Sequence, residues 1–177
     1  MVSLWGFTGL LGLLALQRLF ELSRSRHNEI WMKKHGGYEC FPEHYRVMVL
    51  LHISWFVAML AEVWFYKKTP PQWLIGVGIA GMVSGQILRY LAMRTLAERW
   101  STRIYVLPNV PLIKNGIYGF IRHPNYWGVI LEIACVPLIL GAYYTSILFS
   151  LANLLLLRHR IRLEEIALEQ KTVFSKN

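Results

Sequence analysis

The sequence predicts an all-α integral membrane protein with five transmembrane helices, and three observations carry that prediction. Long apolar runs recur along the 177 residues, 55% of which are hydrophobic. Charged residues collect between the runs instead of alternating with them. Aromatic residues stand near both ends of the run at 45–66, at the depth of a membrane–water interface. The length suits one structural domain. Within it, 1–96 reads as a three-helix membrane scaffold. Residues 97–177 read as an interfacial segment, a helical hairpin and a C-terminal tail that together form the site. The formal charge of +9 is spread through segments flanking the apolar runs, so it fits membrane lipids and not nucleic acid.

The first span is 2–22, read as a retained anchor because no basic segment precedes it and no small-residue cleavage site follows. Arg18 and Glu21 close it, where long side chains reach headgroups. A polar loop is expected over 23–42, with a turn at His35-Gly36-Gly37. The second span, 45–66, contains His52 and Glu62; a lone histidine on such a helix is more often packed and satisfied than catalytic. After the turn at 67–71 comes the third span, 73–96. Its Gly76, Gly81 and Gly85 form a small-residue stripe suited to close helix packing, and Gln86, Arg89 and Arg94 polarise its end.

Residues 97–122 are too amphipathic to cross a bilayer and too apolar for a free loop. They are expected to lie along the interface and partly cover the motif that follows. The fourth span runs from Pro124 to about residue 143, with Pro137 inside it. A hairpin at Tyr143-Tyr144-Thr145-Ser146 leads to the fifth span, 146–157, which continues as a charged helix over 158–169, and 171–177 are expected to fray. Cys40 and Cys135 lie in unlike surroundings and read as two unpaired structural thiols; no cysteine spacing suits a metal.

Basic residues fix an orientation. Arg24, Arg26, Lys33 and Lys34, then Arg99, Arg103, Lys114 and Arg122, then Arg158, Arg160 and Arg162 all fall on one side, against Lys67 and Lys68 on the other. The positive-inside rule puts the N-terminus outside and the C-terminus in the cytosol. Because spans four and five form a hairpin, Arg122-His123-Pro124 and 158–165 emerge at the same cytosolic edge.

The stretch 116–128, GIYGFIRHPNYWG, is the one most suited to a ligand. Pro124 fits the first turn of a helix and little else, which puts His123 near the N-cap, where the helix dipole favours an anion. Arg160 with Glu164 and Arg162 with Glu165 are spaced to share a helix face. They read equally as surface ion pairs or as a carboxylate pair facing the helix mouth. Glu132 sits two turns inside the fourth span, where an ionisable group is usually paired or functional, and Arg89 is its plausible partner. Gly128 leaves a notch on that face, open to a ligand or to a neighbouring helix.

Gly116, Tyr118, Arg122, His123, Pro124, Tyr126 and Gly128, followed by Arg160, Ile161, Glu164, Glu165 and Leu168, resemble the isoprenylcysteine carboxyl methyltransferase family, in its short bacterial form. The resemblance implies a methyltransferase of the bacterial cell membrane that uses S-adenosyl-L-methionine and a lipophilic small-molecule acceptor entering sideways between helices. It implies cofactor binding by Tyr118, His123, Pro124, Tyr126, Glu164 and Glu165. Arg122, Arg162 and Glu132 are the candidate catalytic residues, the two arginines for an anionic acceptor or the cofactor carboxylate. Some short relatives resemble alkylpyrone O-methyltransferases, so the acceptor oxygen is either a carboxylate or an acidic enol. Such an acceptor is already anionic and needs no strong general base, which agrees with the absence of a Ser-His-Asp set from the sequence. The rival readings are an NADPH-dependent oxidoreductase like the membrane sterol reductases, a phospholipid N-methyltransferase, and a non-catalytic membrane protein that kept the fold.

Overall fold

The computed structural model describes residues 4–108 and 110–174, without the side chains of 4–8 and 170–174. The chain folds as five helices: α1 (Leu4–Lys34), α2 (Pro42–Tyr66), α3 (Gln72–Leu96), α4 (Pro124–Ile139) and α5 (Tyr143–Phe174). A two-stranded antiparallel sheet joins β1 (Tyr38–Cys40) to β2 (Ile104–Val106), with Glu39 opposite Tyr105. Short 3₁₀ turns occupy Ala97–Arg99 and Gly116–Gly119. The start of the expected first span, the centre of the turn at 108–111 and the last three tail residues lie outside the described residues.

The fold is mostly helical, as expected, and its polarity is inverted relative to a soluble protein. Leu13, Leu16 and Leu19 of α1, Ile79, Val83 and Ile87 of α3, and Leu148, Leu151 and Leu155 of α5 are exposed. Glu21, Arg89 and Glu132 are buried. Apolar area on this scale belongs against lipid. Helix α2, and α3 with the turn that follows it to Arg99, are long and apolar enough to cross a bilayer; α4 is apolar but has sixteen residues. At 1.5 Å per residue it reaches about 24 Å, short of a typical hydrocarbon core.

Helices α3 and α4 form the closest pair because glycines remove the side chains between them. A Cβ on Gly85 would stand 2.9 Å from the Gly128 carbonyl oxygen, and one on Gly78 would stand 2.6 Å from Ile139. Gly78, Gly81 and Gly85 make the contact; Gly76 faces open space, so it leaves the expected stripe and Gly78 enters it. The notch beside Gly128 is closed by the Gly85 backbone and the Arg89 stem, so it is a packing feature and not a ligand path. Trp55 and Met59 of α2 pack with Val129, Ile133 and Val136 of α4 to form the apolar core.

Three buried charges, Glu21, Arg89 and Glu132, and the half-buried Arg18 lock α1, α3 and α4. Arg18 reaches Glu132 at 2.7 Å and Glu21 at 2.9 Å; Arg89 reaches Glu132 at 3.2 Å and also pairs with Glu21. Gln17 joins Gln86 beside them. The expectation that Arg18 and Glu21 reach the headgroups is therefore corrected, since both turn inward to satisfy Glu132 and Arg89. The Arg89–Glu132 pair expected from the sequence is present.

Two other boundaries differ from expectation for tertiary reasons. The segment 23–42 is not a loop: α1 continues to Lys34, ending at the glycine turn, where Gly36 has φ +79°. Ser25 and Asn28 on that extension are buried, and Asn28 donates to the Ala97 and Trp100 carbonyls. Helix α4 stops at Ile139, before the left-handed Gly141, and Tyr143–Ser146 begin α5 instead of forming the hairpin turn. Glu62 of α2 makes that possible by accepting from the backbone N–H of Tyr144 (3.0 Å) and Thr145 (2.7 Å), capping α5 from a neighbouring helix. Cys40 and Cys135 are both free thiols.

Candidate active site

A cavity of about 770 Å³ opens at the end of the bundle where α4 begins and the charged half of α5 passes. The expected meeting of two distant motifs occurs here, because α5 runs back along α4. Its remaining wall is Met32 of α1 and β2 with the segments on either side, so much of 97–122 lines the cavity together with the motif.

Pro124 is buried at the start of α4 and cannot accept a preceding helical turn, so the chain enters through His123 at φ −133° and ψ 64°. The first turn closes on the His123 carbonyl, which accepts from Tyr126 (3.1 Å) and Trp127 (3.3 Å). The His123 ring stacks on Tyr126 with centroids 5.4 Å apart. His123 Nε2 and Asn125 Oδ1 are buried without a protein partner, and both residues line the cavity.

Tyr126 links the two motifs. Its hydroxyl donates to Glu164 Oε2 at 2.5 Å and accepts from Arg160 Nε at 3.0 Å. Arg160 is only 4% exposed and also donates to the Thr102 carbonyl at 2.7 Å and contacts the Met48 sulfur at 3.4 Å. Among the described residues no carboxylate stands in ion-pair distance of Arg160. The Arg160 guanidinium faces the cavity with a hydroxyl, a carbonyl and a thioether for company, and with Glu164 one hydroxyl away, an arrangement that favours an anion over a cation at that wall. Tyr118, in the Gly116–Gly119 turn, lines the same space; burial and the Glu164 carboxylate hold its phenol above the ordinary range, so it remains a proton donor.

Arg122 is exposed at the rim and pairs with Glu165 at 2.9 Å. The ion pairs expected within α5 do not form: Arg160 and Glu164 both bond to Tyr126, and Glu165 bonds to Arg122. Arg162 is exposed and does not line the cavity, and Glu132 lies in the buried ionic cluster. Sequence reasoning named Arg160 as the helix-face partner of Glu164 and as part of the family motif, but gave it no role in the site. A helical signal was available, since Asn153, Leu157, Arg160 and Ala167 recur at spacings of four, three and seven and are all buried.

Residues 76–170 match the sequence model of the isoprenylcysteine carboxyl methyltransferase (ICMT) family, more than half of the chain and all of the motif-bearing region. The chain belongs to the ICMT family. It is 42% identical to the uncharacterized protein YpbQ of Bacillus subtilis over 164 residues, 93% of this chain and 97% of the relative. It is 26% identical to a probable protein-S-isoprenylcysteine O-methyltransferase of Oryza sativa subsp. japonica, over 63% of this chain and 60% of that protein. With the protein-S-isoprenylcysteine O-methyltransferase of Tribolium castaneum it shares 24% identity, over 87% of this chain and 56% of that protein. Against these ICMT-family enzymes the chain therefore spans little more than half their length, whereas it matches the short Bacillus protein almost end to end. No solved structure matches the chain.

Proposed function

We propose that the protein is a membrane-embedded, S-adenosyl-L-methionine-dependent methyltransferase that transfers a methyl group to an anionic oxygen, a carboxylate or an acidic enol, of a lipophilic acceptor. The observation that carries this reading is the buried, carboxylate-free Arg160 beside the Glu164–Glu165 pair in one cavity. Family membership supports it, since the named relatives with an assigned activity are O-methyltransferases.

The residues present fit the cofactor. The cavity volume falls within the usual range for small-molecule sites. A ligand that is part ammonium, part carboxylate and part ribose needs carboxylate acceptors, a guanidinium and unpaired ring or amide atoms. Glu164 and Glu165, Arg160, His123 Nε2 and Asn125 Oδ1 supply that set. When bound, the cofactor supplies a methyl group already activated by a sulfonium charge.

The chain's own contribution is then positioning and exclusion of water. Glu164, held by Tyr126, accepts hydroxyl or ammonium hydrogens from the cofactor, and Glu165 does the same on leaving Arg122. Tyr118, Pro124 and Tyr126 wall the site. Arg160 orients a carboxylate, and Arg122 meets anions at the rim. The segment covering the cavity shields it from solvent. An anionic acceptor needs no proton removed, so no residue is assigned as general base. In this reading the chain crosses the membrane of a bacterial cell five times, with the N-terminus outside and the C-terminus in the cytosol, and the cavity lies at the inner membrane face.

The test is product chemistry. Membranes containing the protein, incubated with methyl-tritiated cofactor, should yield label in the lipid extract that is released as volatile methanol by mild base if the product is an ester, or by acid if it is an enol ether. Label stable to both would mean N-methylation, and no label together with NADPH oxidation would favour the reductase reading.

A further inference from the structure

At the end of the bundle opposite the cavity, where α4 stops and α5 starts, two turns far apart in sequence meet around one ammonium. Lys68 Nζ stands 5.0 Å from the ring centre of Tyr66, 5.5 Å from that of Tyr143 and 4.7 Å from that of Tyr144. We propose that this lysine, in its cage of three tyrosines, is a binding site for the phosphate of a phospholipid headgroup. The bound lipid ties the α2–α3 and α4–α5 connections together at the membrane surface. Nothing in this site depends on methyl transfer at the other end.

The backbone holds the cage from both sides. Lys67 takes a left-handed conformation (φ +45°) and donates its N–H to the Val63 carbonyl at 3.1 Å, which ends α2 and turns the chain. Gly141 has φ +77°, and a Cβ there would stand 2.8 Å from the Lys68 carbonyl oxygen, so the two connections touch only with glycine at this position. Glu62 accepts from the Tyr144 and Thr145 N–H groups and from the Thr145 hydroxyl, which fixes the first turn of α5 and its two tyrosines. The Tyr66 and Tyr144 rings then lie 5.8 Å apart, tilted by 51°.

Charge decides the ligand. A cage of aromatic rings ordinarily takes a cation from its ligand, because ring faces are electron-rich. Here the chain's own ammonium fills that place, so an anion is what remains to be bound. Glu62 is buried and occupied by the α5 cap, and among the described residues no carboxylate lies in ion-pair distance of Lys67 or Lys68. Lys68, Tyr66 and Tyr144 are exposed, which leaves ammonium and phenol hydrogens free to donate to a phosphate. Depth decides its source. Trp64 and Phe65 at the end of α2 and Trp73 at the start of α3 are exposed beside the turn, an aromatic belt of the kind that sits among headgroups. A free phosphate gains nothing from those rings, whereas the acyl chains of a phospholipid lie against them.

The experiment uses the full chain in lipid nanodiscs and a phosphatidylglycerol carrying a diazirine in its headgroup. Photolysis followed by peptide mapping should place label on 66–68 and 143–144, suppressed by excess unmodified phosphatidylglycerol but not by diacylglycerol. Lys68→Gln should lower that labelling about fivefold, the loss of one lysine's attraction to an anionic headgroup, while Lys68→Arg should retain it. Tyr144→Leu should lower it too, since the ammonium loses a ring that holds it, and Tyr144→Phe should keep most of it. Unchanged circular dichroism and gel-filtration elution show that the variants fold. Labelling unchanged by Lys68→Gln overturns the site. At constant ionic strength, competition by tetramethylammonium would mean that the rings take a ligand's cation in place of Lys68. Inorganic phosphate competing as well as the lipid would mean a free-anion site only. Either result overturns the phospholipid assignment.

Discussion

Arg89 and Glu132 face each other inside the bundle, with Arg18 and Glu21 completing two cations and two carboxylates. Each charge is tolerable there only because the others are present. Arg89→Met should therefore cost about 3–5 kcal/mol, by leaving a carboxylate uncompensated. Arg89→Met combined with Glu132→Leu should recover much of that loss. Thermal unfolding in detergent would measure both, and an additive double variant would refute the coupling. The Glu132 side of this arrangement was legible in the sequence, because an acid deep in an apolar run needs a partner. The α1 side was not. Arg18 and Glu21 sit where a span was expected to end, and only the extension of α1 to Lys34 shows that they lie inside.

At the scale of elements, the α3–α4 contact and the N-terminus of α5 show what local sequence can and cannot specify. The small-residue stripe was visible, but its register was not: two glycines only two residues apart, Gly76 and Gly78, fall on different helix faces, and only the partner decides which is used. Gly85→Ala should push against the Gly128 backbone and destabilise the protein by about 1–3 kcal/mol, whereas Gly76→Ala, facing open space, should be neutral or slightly stabilising. A chemical-denaturation comparison of the two variants tests this, and equal effects would contradict it. The start of α5 was misplaced because its cap is a glutamate eighty-two residues away in sequence, on α2, which no local signal reveals. The hairpin of α4 and α5 was legible, and it carried the most useful inference: that Arg122-His123-Pro124 and 158–165 emerge at one edge, where Arg122 pairs with Glu165 and Tyr126 with Glu164. The sheet between β1 and β2 was not, since strands of three residues carry no periodicity.

For the whole molecule, apolar side chains outside and charges inside match a chain surrounded by lipid, and the basic residues gather at the end that holds the cavity. In a variant with Cys40→Ser, a cysteine at Lys68 should react with a membrane-impermeant maleimide from outside intact cells. One at Arg158 should react only after permeabilisation. The reverse pattern would put the cavity on the wrong side for a cytosolic cofactor.

The central claim is that Arg160 and the Glu164–Glu165 pair form an S-adenosyl-L-methionine site, and calorimetric titration of the purified chain tests it most directly. The expected result is saturable binding at one site, weakened by about 2 kcal/mol or more in Arg160→Met and in Glu165→Ala, and largely retained in Arg162→Met. Absent binding, or an affinity that survives Arg160→Met and Glu165→Ala but falls in Arg162→Met, would contradict it.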